Sequence, residues 1–180
     1  MKKLLMAALG LLLLIQPAMA AGISAGVGAF GGLEMPIIQD DQEQGTVFGF
    51  KGRLKASFIT LEPNIMFTRY GDPDFEDVIG DPDGSKLTSF GLDALLGSSL
   101  GGPGVSTFFF AGIGIYKTKN DQLQVDESEV GISGGLGLEI GLGTKLGLEV
   151  RGRVVVVGTE GGGSKKAALL TAGVNYHFGL

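Results

Sequence analysis

The charged residues that could do chemistry in this chain recur at every second position of apolar or glycine-rich segments. Side chains two residues apart lie on the same face of a β-strand, so these charges are expected to share one face of each strand. The set comprises Lys51, Arg53, Lys55, Glu62, Asp93, Glu139, Glu149, Arg151 and Arg153. If that face is buried away from water, charges of both signs must pair with one another. The pattern therefore indicates a structural network of ion pairs or, as the alternative, a gated path for ions.

Two other motifs resemble binding sites. Residues 26–31 match the glycine spacing of a dinucleotide-binding turn, which requires a strand-to-helix junction, yet this copy lies inside an alternating segment. Residues 71–84 hold six carboxylates in fourteen positions, a composition that could bind Ca²⁺ through oxygen ligands. They lack the spacing of an EF-hand loop, and Asp-Pro and Asp-Gly are common in turns. Like the run at 39–44, this segment is therefore interpreted as a solvated surface loop, and no metal or cofactor is predicted.

The elements that must position the charges are β-strands. In the segment 145–157 the even positions are apolar from Leu146 to Val150, whereas the odd positions carry Glu149, Arg151 and Arg153. This alternation is typical of a strand with two unlike faces. It recurs in eight segments, near 22–33, 47–57, 58–70, 86–98, 106–117, 129–141, 145–157 and 167–178. In two of them, Phe30, Phe108, Phe110 and Tyr116 fall on the otherwise glycine-rich face.

The connections between these segments alternate in length. Long polar ones are expected at 34–46, 71–85, 118–128 and 158–166, and shorter ones near 57–58, 99–105 and 141–144. Long loops at one end and short turns at the other are typical of membrane barrels.

The N-terminal segment, the cysteine content and the net charge limit the class of protein. Lys2 and Lys3, the apolar run 4–15 and the small residues Ala18 and Ala20 form a secretory signal peptide at 1–20, leaving 21–180 as a single domain. The chain has no cysteine, and its net charge is −5, or −7 without the two lysines. An acidic balance argues against nucleic acid as a partner.

The polar faces decide which side of the strands meets lipid. A soluble barrel would point its apolar face inward, whereas a membrane barrel points it outward and fills a narrow interior with its polar face. The chain has 33 glycines, many of them on the polar faces, where water-exposed strands would carry larger residues. Inward glycines make room for large neighbours, so the membrane orientation is favoured.

The signal peptide, the eight alternating strands, the loops and the last strand 172–180 together resemble the small outer-membrane β-barrel family. This family includes the barrel of outer-membrane protein A, the OmpX-type proteins and the opacity-type surface proteins. The resemblance implies an eight-stranded antiparallel up-and-down transmembrane barrel in the outer membrane of a Gram-negative bacterium. It also implies lipid and lipopolysaccharide as surroundings, and barrel-assembly machinery that reads the last strand. Family members usually end in Phe, whereas this chain ends in Leu180.

The enzymes with this architecture, the lipid A deacylases, combine His, Ser and an acid on the lipid-facing surface. Here the only histidine, His177, falls on the inward face, so no catalytic residue is predicted. The expected function is that of a non-enzymatic barrel with a filled lumen. It would serve envelope integrity or surface interaction through four external loops. The acidic loops would bind a surface ligand. The alternative is a small pore or carrier for ions or small molecules, including apolar ones.

Overall fold

The chain folds into eight β-strands in the computed structural model, which describes residues 24–37, 44–56, 58–70, 86–97, 103–120, 125–159 and 163–178. No helix long and apolar enough to cross a membrane occurs in these ranges. The strands are β1 (Ser24–Pro36), β2 (Gly45–Ala56), β3 (Ile59–Tyr70), β4 (Lys86–Leu96), β5 (Gly104–Asn120), β6 (Val125–Leu142), β7 (Leu146–Gly158) and β8 (Ser164–Phe178).

The strands close into a barrel in sequence order, each pairing antiparallel with the next and β1 pairing with β8. Gly28, for example, lies opposite Lys51 of β2 on one side and opposite Asn175 of β8 on the other. Closure leaves no strand edge, so every strand has hydrogen-bonding neighbours on both sides. The predicted eight-stranded antiparallel barrel is confirmed.

The two faces of the strands follow the predicted alternation. Large apolar side chains point outward and stay exposed, as at Phe109 (69% exposed) and Val130 (69%), whereas Glu62 and Asp93 point inward and are 0% exposed. In β7 the buried positions run from Gly147 to Val157 in steps of two. The outward face is therefore the apolar one, and the inward face carries the charges.

The strand boundaries differ from the prediction mainly in β5 and β6. These strands pair as far as Asn120 opposite Val125, so most of the long connection predicted at 118–128 is strand. The residues there are polar, as in the pair of Lys117 with Ser128, and polar residues beyond an apolar band lose the alternation that marks a strand. The ladder between the strands nevertheless continues, because its hydrogen bonds join backbone groups and do not depend on the polarity of the side chains.

The two ends of the barrel differ in their connections. One end, called here the turn end, holds the connections 57–58, 97–103 and 143–145, and β1 begins and β8 ends there. At Gly143 the backbone has a φ of +80°, which glycine adopts at little cost. The other end, called here the loop end, holds the connections 37–44, 71–85, 121–124 and 159–163. The acidic segments 71–84 and 39–43 and the predicted signal peptide lie outside the described residues, as does Leu180.

Candidate functional site in the barrel lumen

The structure brings eight of the nine predicted charged residues together in the middle of the lumen. All eight are buried, whereas Lys55 is only half-buried near the turn end of β2. Their charges balance, with four basic and four acidic side chains. The group, called here the lumen network, consists of Lys51, Arg53, Glu62, Asp93, Glu139, Glu149, Arg151 and Arg153.

The first part of the lumen network is an acidic pair on neighbouring strands. Glu62 of β3 and Asp93 of β4 lie directly opposite each other in the register. Like charges in such positions repel, so they need a cation between them. Arg151 of β7 supplies it, since its Nη1 donates to Glu62 Oε1 at 2.6 Å and its Nη2 to Glu62 Oε2 at 3.0 Å. Arg153 donates to Asp93 from the next inward position of β7.

A second acidic pair has the same arrangement on the other side of the lumen. Glu139 of β6 lies directly opposite Glu149 of β7. The guanidinium of Arg53, which comes from β2, donates to both carboxylates. The ammonium of Lys51 lies 2.5 Å from Glu149 Oε1. Each acidic pair is therefore neutralised by basic side chains that reach across the barrel.

Arg53 joins the two halves of the lumen network. Its Nε donates to Glu62 Oε2 at 2.7 Å, while its Nη atoms serve Glu139 and Glu149. Two aromatic rings pack beside the guanidinium groups, with the Phe108 centroid 5.1 Å and the Phe110 centroid 4.7 Å from Arg151 Cζ. Cations favour the faces of aromatic rings, so these rings support the arginines while filling space.

His177 belongs to this network. Its Nε2 lies 2.9 Å from Glu139 Oε1, and the side chain is 1% exposed. The amide of Asn175 on the same strand donates to Glu139 Oε2 at 2.8 Å. The residue that sequence analysis considered for catalysis is thus a buried partner of a carboxylate, remote from the lipid-facing surface.

Glycines make the room that the large inward side chains occupy. A Cβ atom at Gly137 would lie 2.3 Å from Cζ of Phe108, its partner in the register. A Cβ at Gly49 would likewise lie 2.6 Å from Cζ of Phe30. Real Cβ atoms do not approach so closely, so these glycines permit the aromatic rings to lie flat across the neighbouring strand.

An apolar layer lies between the lumen network and the loop end. It contains the buried side chains of Val47, Met66, Tyr116, Val155, Val157 and Leu169, with Phe30, Leu87 and Ala167 packed against it. The alternation placed Met66, Val155 and Leu169 on the inward face but did not predict that they meet. Their contact depends on how neighbouring strands are staggered in the closed barrel, which the pattern within one strand does not contain.

Beyond this layer a cavity of about 190 Å³ opens at the loop end, called here the vestibule. Glu34 of β1 lines it, with Oε1 accepting a hydrogen bond from the Tyr70 hydroxyl at 2.6 Å and Oε2 one from the Thr68 hydroxyl at 2.7 Å. Lys165 lies 3.5 Å from both Glu127 and Glu129 at the rim. Sequence analysis missed Glu34, because it lies in the segment interpreted as a loop.

Charged and apolar side chains fill successive layers of the described barrel interior. The charged groups in the middle of the lumen are paired with one another, while the buried amide oxygens of Asn64 and Asn175 have no hydrogen-bond partner, and a mainly apolar layer lies above them. No group of His, Asp or Glu that could hold a metal ion occurs within the described ranges. Between the two layers lies a void of about 10 Å³, beside Lys51, Met66 and Thr171.

Known proteins share this barrel architecture. The family model described as an outer membrane protein beta-barrel domain matches residues 6–178. Among solved structures, Neisserial surface protein A is similar with a TM-score of 0.62 and 16% identity, over 86% of this chain and 96% of that one. The N-terminal β-barrel domain of Pseudomonas aeruginosa OprF follows with a TM-score of 0.58 and 19% identity, over 86% and 97% of the two chains.

A third similar structure is Ail, the attachment invasion locus protein of Yersinia pestis, with a TM-score of 0.52 and 15% identity over 87% of this chain and 98% of that one. No curated protein sequence matches the chain. At identities this low, the structural similarity shows a shared fold and nothing more.

Proposed function

The chain belongs to the outer membrane protein beta-barrel domain family, whose members lie in the outer membrane of Gram-negative bacteria, and from this premise we propose that it is a closed, non-conducting barrel that serves envelope integrity or surface interaction. Its loop end faces the exterior and its turn end the periplasm, the orientation usual for such barrels. Residues 1–20 would be removed as a signal peptide during export.

The observation that carries this proposal is the double closure of the lumen. An ion crossing the barrel would have to separate the Glu62–Arg151 pair, both members of which are buried, and then pass the apolar layer around Met66 and Val155. Removing one partner from a buried ion pair costs about 3–5 kcal/mol. Eight strands leave an interior that side chains fill, in contrast to the aqueous channel of a sixteen-stranded porin.

Conductance in planar lipid bilayers tests this proposal directly. The purified protein, folded and inserted as a monomer, is expected to show no steady current steps, whereas a sixteen-stranded porin in the same membrane supplies the positive control. Large, stable steps proportional to the salt concentration would contradict the closed lumen and favour the pore.

The vestibule supports an outward-facing role. It opens toward the loop end and is closed below by the apolar layer, so a molecule that enters it from outside meets a dead end. No catalytic arrangement is proposed, since the lone histidine is engaged by Glu139. The barrel-assembly machinery is the proposed partner of β8 during insertion.

A strain that lacks the gene separates the two roles. Loss of envelope integrity predicts leakage of a periplasmic marker and sensitivity to bile salts, both restored by a chain whose segment 71–84 is replaced by a neutral linker. A surface-interaction role predicts intact envelopes and loss of binding to matrix-coated plates, which the linker chain would not restore. A strain unaffected in both measurements would contradict the proposal.

A further inference from the structure

The vestibule contains a buried carboxylate that no described cation neutralises. Glu34 is 4% exposed, and among the described residues its oxygens accept hydrogen bonds only from the hydroxyls of Tyr70 and Thr68. The four carboxylates of the lumen network, by contrast, each lie against an arginine or a lysine. Withdrawing a carboxylate from water without an opposite charge is costly, so Glu34 is suited to bind a cation.

Three adjacent strands position this carboxylate. Glu34 of β1 is in register with Gly45 of β2, which in turn is in register with Tyr70 of β3. A Cβ atom at Gly45 would lie 2.9 Å from Cδ1 of Tyr70, so the glycine makes room for the tyrosine ring to cross β2 and reach Glu34. A carboxylate has about four lone-pair positions, and the two hydroxyls use two of them. The remaining positions can accept hydrogen bonds from a bound group.

The rest of the vestibule suits a small organic cation. Leu87, Val155 and Val157 form its apolar floor, and the ring of Tyr116 packs with them. A cation favours the face of an aromatic ring, and the apolar part of a ligand gains by leaving water for such a floor. The volume of about 190 Å³ is below the roughly 300–1,000 Å³ of pockets that hold drug-sized molecules, so the ligand must be small.

The connections at the loop end favour cations by their charge. The segments 37–44, 71–85, 121–124 and 159–163 contain three, six, one and one acidic residues, and no Lys, Arg or His. An excess of one sign of charge around a cleft raises the local concentration of ligands of the opposite sign. A cation is therefore drawn to this end of the barrel, whereas an anion is repelled.

Two lysines border the vestibule without making it basic. Lys165 lies 3.5 Å from a carboxylate oxygen of both Glu127 and Glu129, so two acidic groups already match its single charge. Lys166 follows it on β8 and is exposed on the outward face. The carboxylate of Glu34 thus stays available to a cation that enters from the loop end.

We propose that the vestibule binds the primary ammonium group of a small organic amine, with the nitrogen at Glu34 and the apolar part of the amine against Tyr116, Val155 and Val157. A primary ammonium group has three N–H donors for the free lone pairs of the carboxylate, whereas a quaternary ammonium group has none. This inference rests on the proposed dead-end vestibule, which holds a ligand without passing it. Binding and conductance are measured separately, so the failure of one does not decide the other.

The test uses the full mature chain in phosphatidylcholine nanodiscs, with 2-phenylethylamine hydrochloride as the probe. Saturable shifts of the methyl resonances of Val155 and Val157 are expected in NMR spectra, because both side chains line the vestibule. The neutral alcohol 2-phenylethanol and the trimethylammonium analogue of the probe are each expected to bind about tenfold more weakly or worse, since neither forms the charged hydrogen bonds at Glu34.

Glu34→Gln is expected to weaken binding of the amine about tenfold or more, whereas Glu127→Gln, an equal charge change at the exposed rim, is expected to stay within about twofold of the parent chain. Val157→Phe fills the vestibule without changing its charge and is expected to abolish the saturable shift of Val155. The gel mobility of the folded barrel confirms that each variant is compared in its folded state.

Three results would overturn the proposal. The first is the absence of saturable shifts at millimolar amine. The second is equal weakening by Glu34→Gln and Glu127→Gln, or full binding to Val157→Phe, either of which would assign the amine to the acidic exterior of the barrel. The third is equal binding of the amine and the alcohol, which would leave an apolar cavity without a role for the carboxylate.

Discussion

Glu62 and Arg151 form a two-point ion pair across the full width of the barrel. Their side chains come from β3 and β7, which are four strands apart in either direction around the ring, and their atoms approach to 2.6 Å and 3.0 Å. Each residue alone would be a buried charge that destabilises the fold. Together they link opposite walls of the barrel through one buried ion pair.

Replacing Glu62 by Gln is expected to destabilise the barrel by about 3–5 kcal/mol, because Arg53 and Arg151 lose a shared buried carboxylate. The chain has no tryptophan, so unfolding in urea is best followed by the different gel mobilities of folded and unfolded barrels. Glu127→Gln is the matched control, since the carboxylate of Glu127 is 54% exposed and surface pairs contribute about 1 kcal/mol or less. Equal urea midpoints of unfolding for the two variants would contradict a stabilising role of the Glu62 ion pairs.

Replacing Glu34 by Gln is expected to change the stability by less than about 1 kcal/mol, although Glu34 is as deeply buried as most of the lumen network. Its carboxylate contacts only the hydroxyls of Tyr70 and Thr68 among the described residues. Both hydroxyls can rotate to match an amide, so no hydrogen bond needs to be lost. The same urea titration measures the effect. A loss comparable to that of Glu62→Gln would show that a cation engages Glu34.

Replacing Gly135 by Ala is expected to cost about 1–3 kcal/mol, because the new methyl group would lie 2.0 Å from the backbone carbonyl oxygen of Gly152. Gly152→Ala is the control on the facing strand, where a Cβ meets no atom within 4 Å. This control is expected to be neutral or slightly stabilising, since alanine reduces the freedom of the unfolded chain. Thermal unfolding of both variants in the same detergent checks the pair, and a destabilised Gly152→Ala with a silent Gly135→Ala would reverse the assigned faces.

Arginine at Val150 is expected to destabilise the inserted barrel by about 2–4 kcal/mol, because Val150 is 51% exposed on the lipid side in the middle part of β7. Arginine at Ser128, which faces outward at the level of Lys117, is expected to cost about 1 kcal/mol or less, since that level borders water. Folding yields in vesicles of fixed composition measure both. A tolerated charge at Val150 would mean that this face does not meet hydrocarbon.

The mature chain is expected to begin at Ala21, because the small residues Ala18 and Ala20 precede the predicted cleavage position. The intact mass of protein extracted from outer membranes checks this prediction. Replacing both alanines by lysine is expected to leave the precursor uncleaved, and unchanged processing of that variant would disprove the cleavage site. Replacing Met19, which lies between them, is the control.

The alternation of side chains predicted the strands and their faces, because the period of two is a property of each strand alone. It placed Glu139 and Glu149 inward, but it could not show that they lie opposite each other or that Arg53 comes between them. Those contacts depend on the stagger of strands around the ring. The stagger brings Arg53 to Glu139, which is 86 positions away in the sequence, and to Glu149, which is 96 positions away. The apolar layer went unpredicted for the same reason.

The ends of the strands were predicted less well than their middles. Glu34 and Thr118 were assigned to connections but lie in strands, because polar residues there still alternate in direction without alternating in polarity. Backbone pairing does not require an apolar face, so a strand can extend beyond the lipid.

The two acidic pairs also constrain the order in which the barrel can be completed. Glu62 and Asp93 already face each other once β3 and β4 pair, and Arg53 of the neighbouring β2 can reach Glu62, but Arg151 and Arg153 arrive only with β7. A partly assembled sheet without β7 therefore lacks the cations that pair with Asp93. The last step, in which β8 meets β1, brings Arg151 and Arg153 of β7 within reach of the carboxylates on β3 and β4. An unfinished barrel therefore lacks these ion pairs, and we expect closure of the barrel to be cooperative.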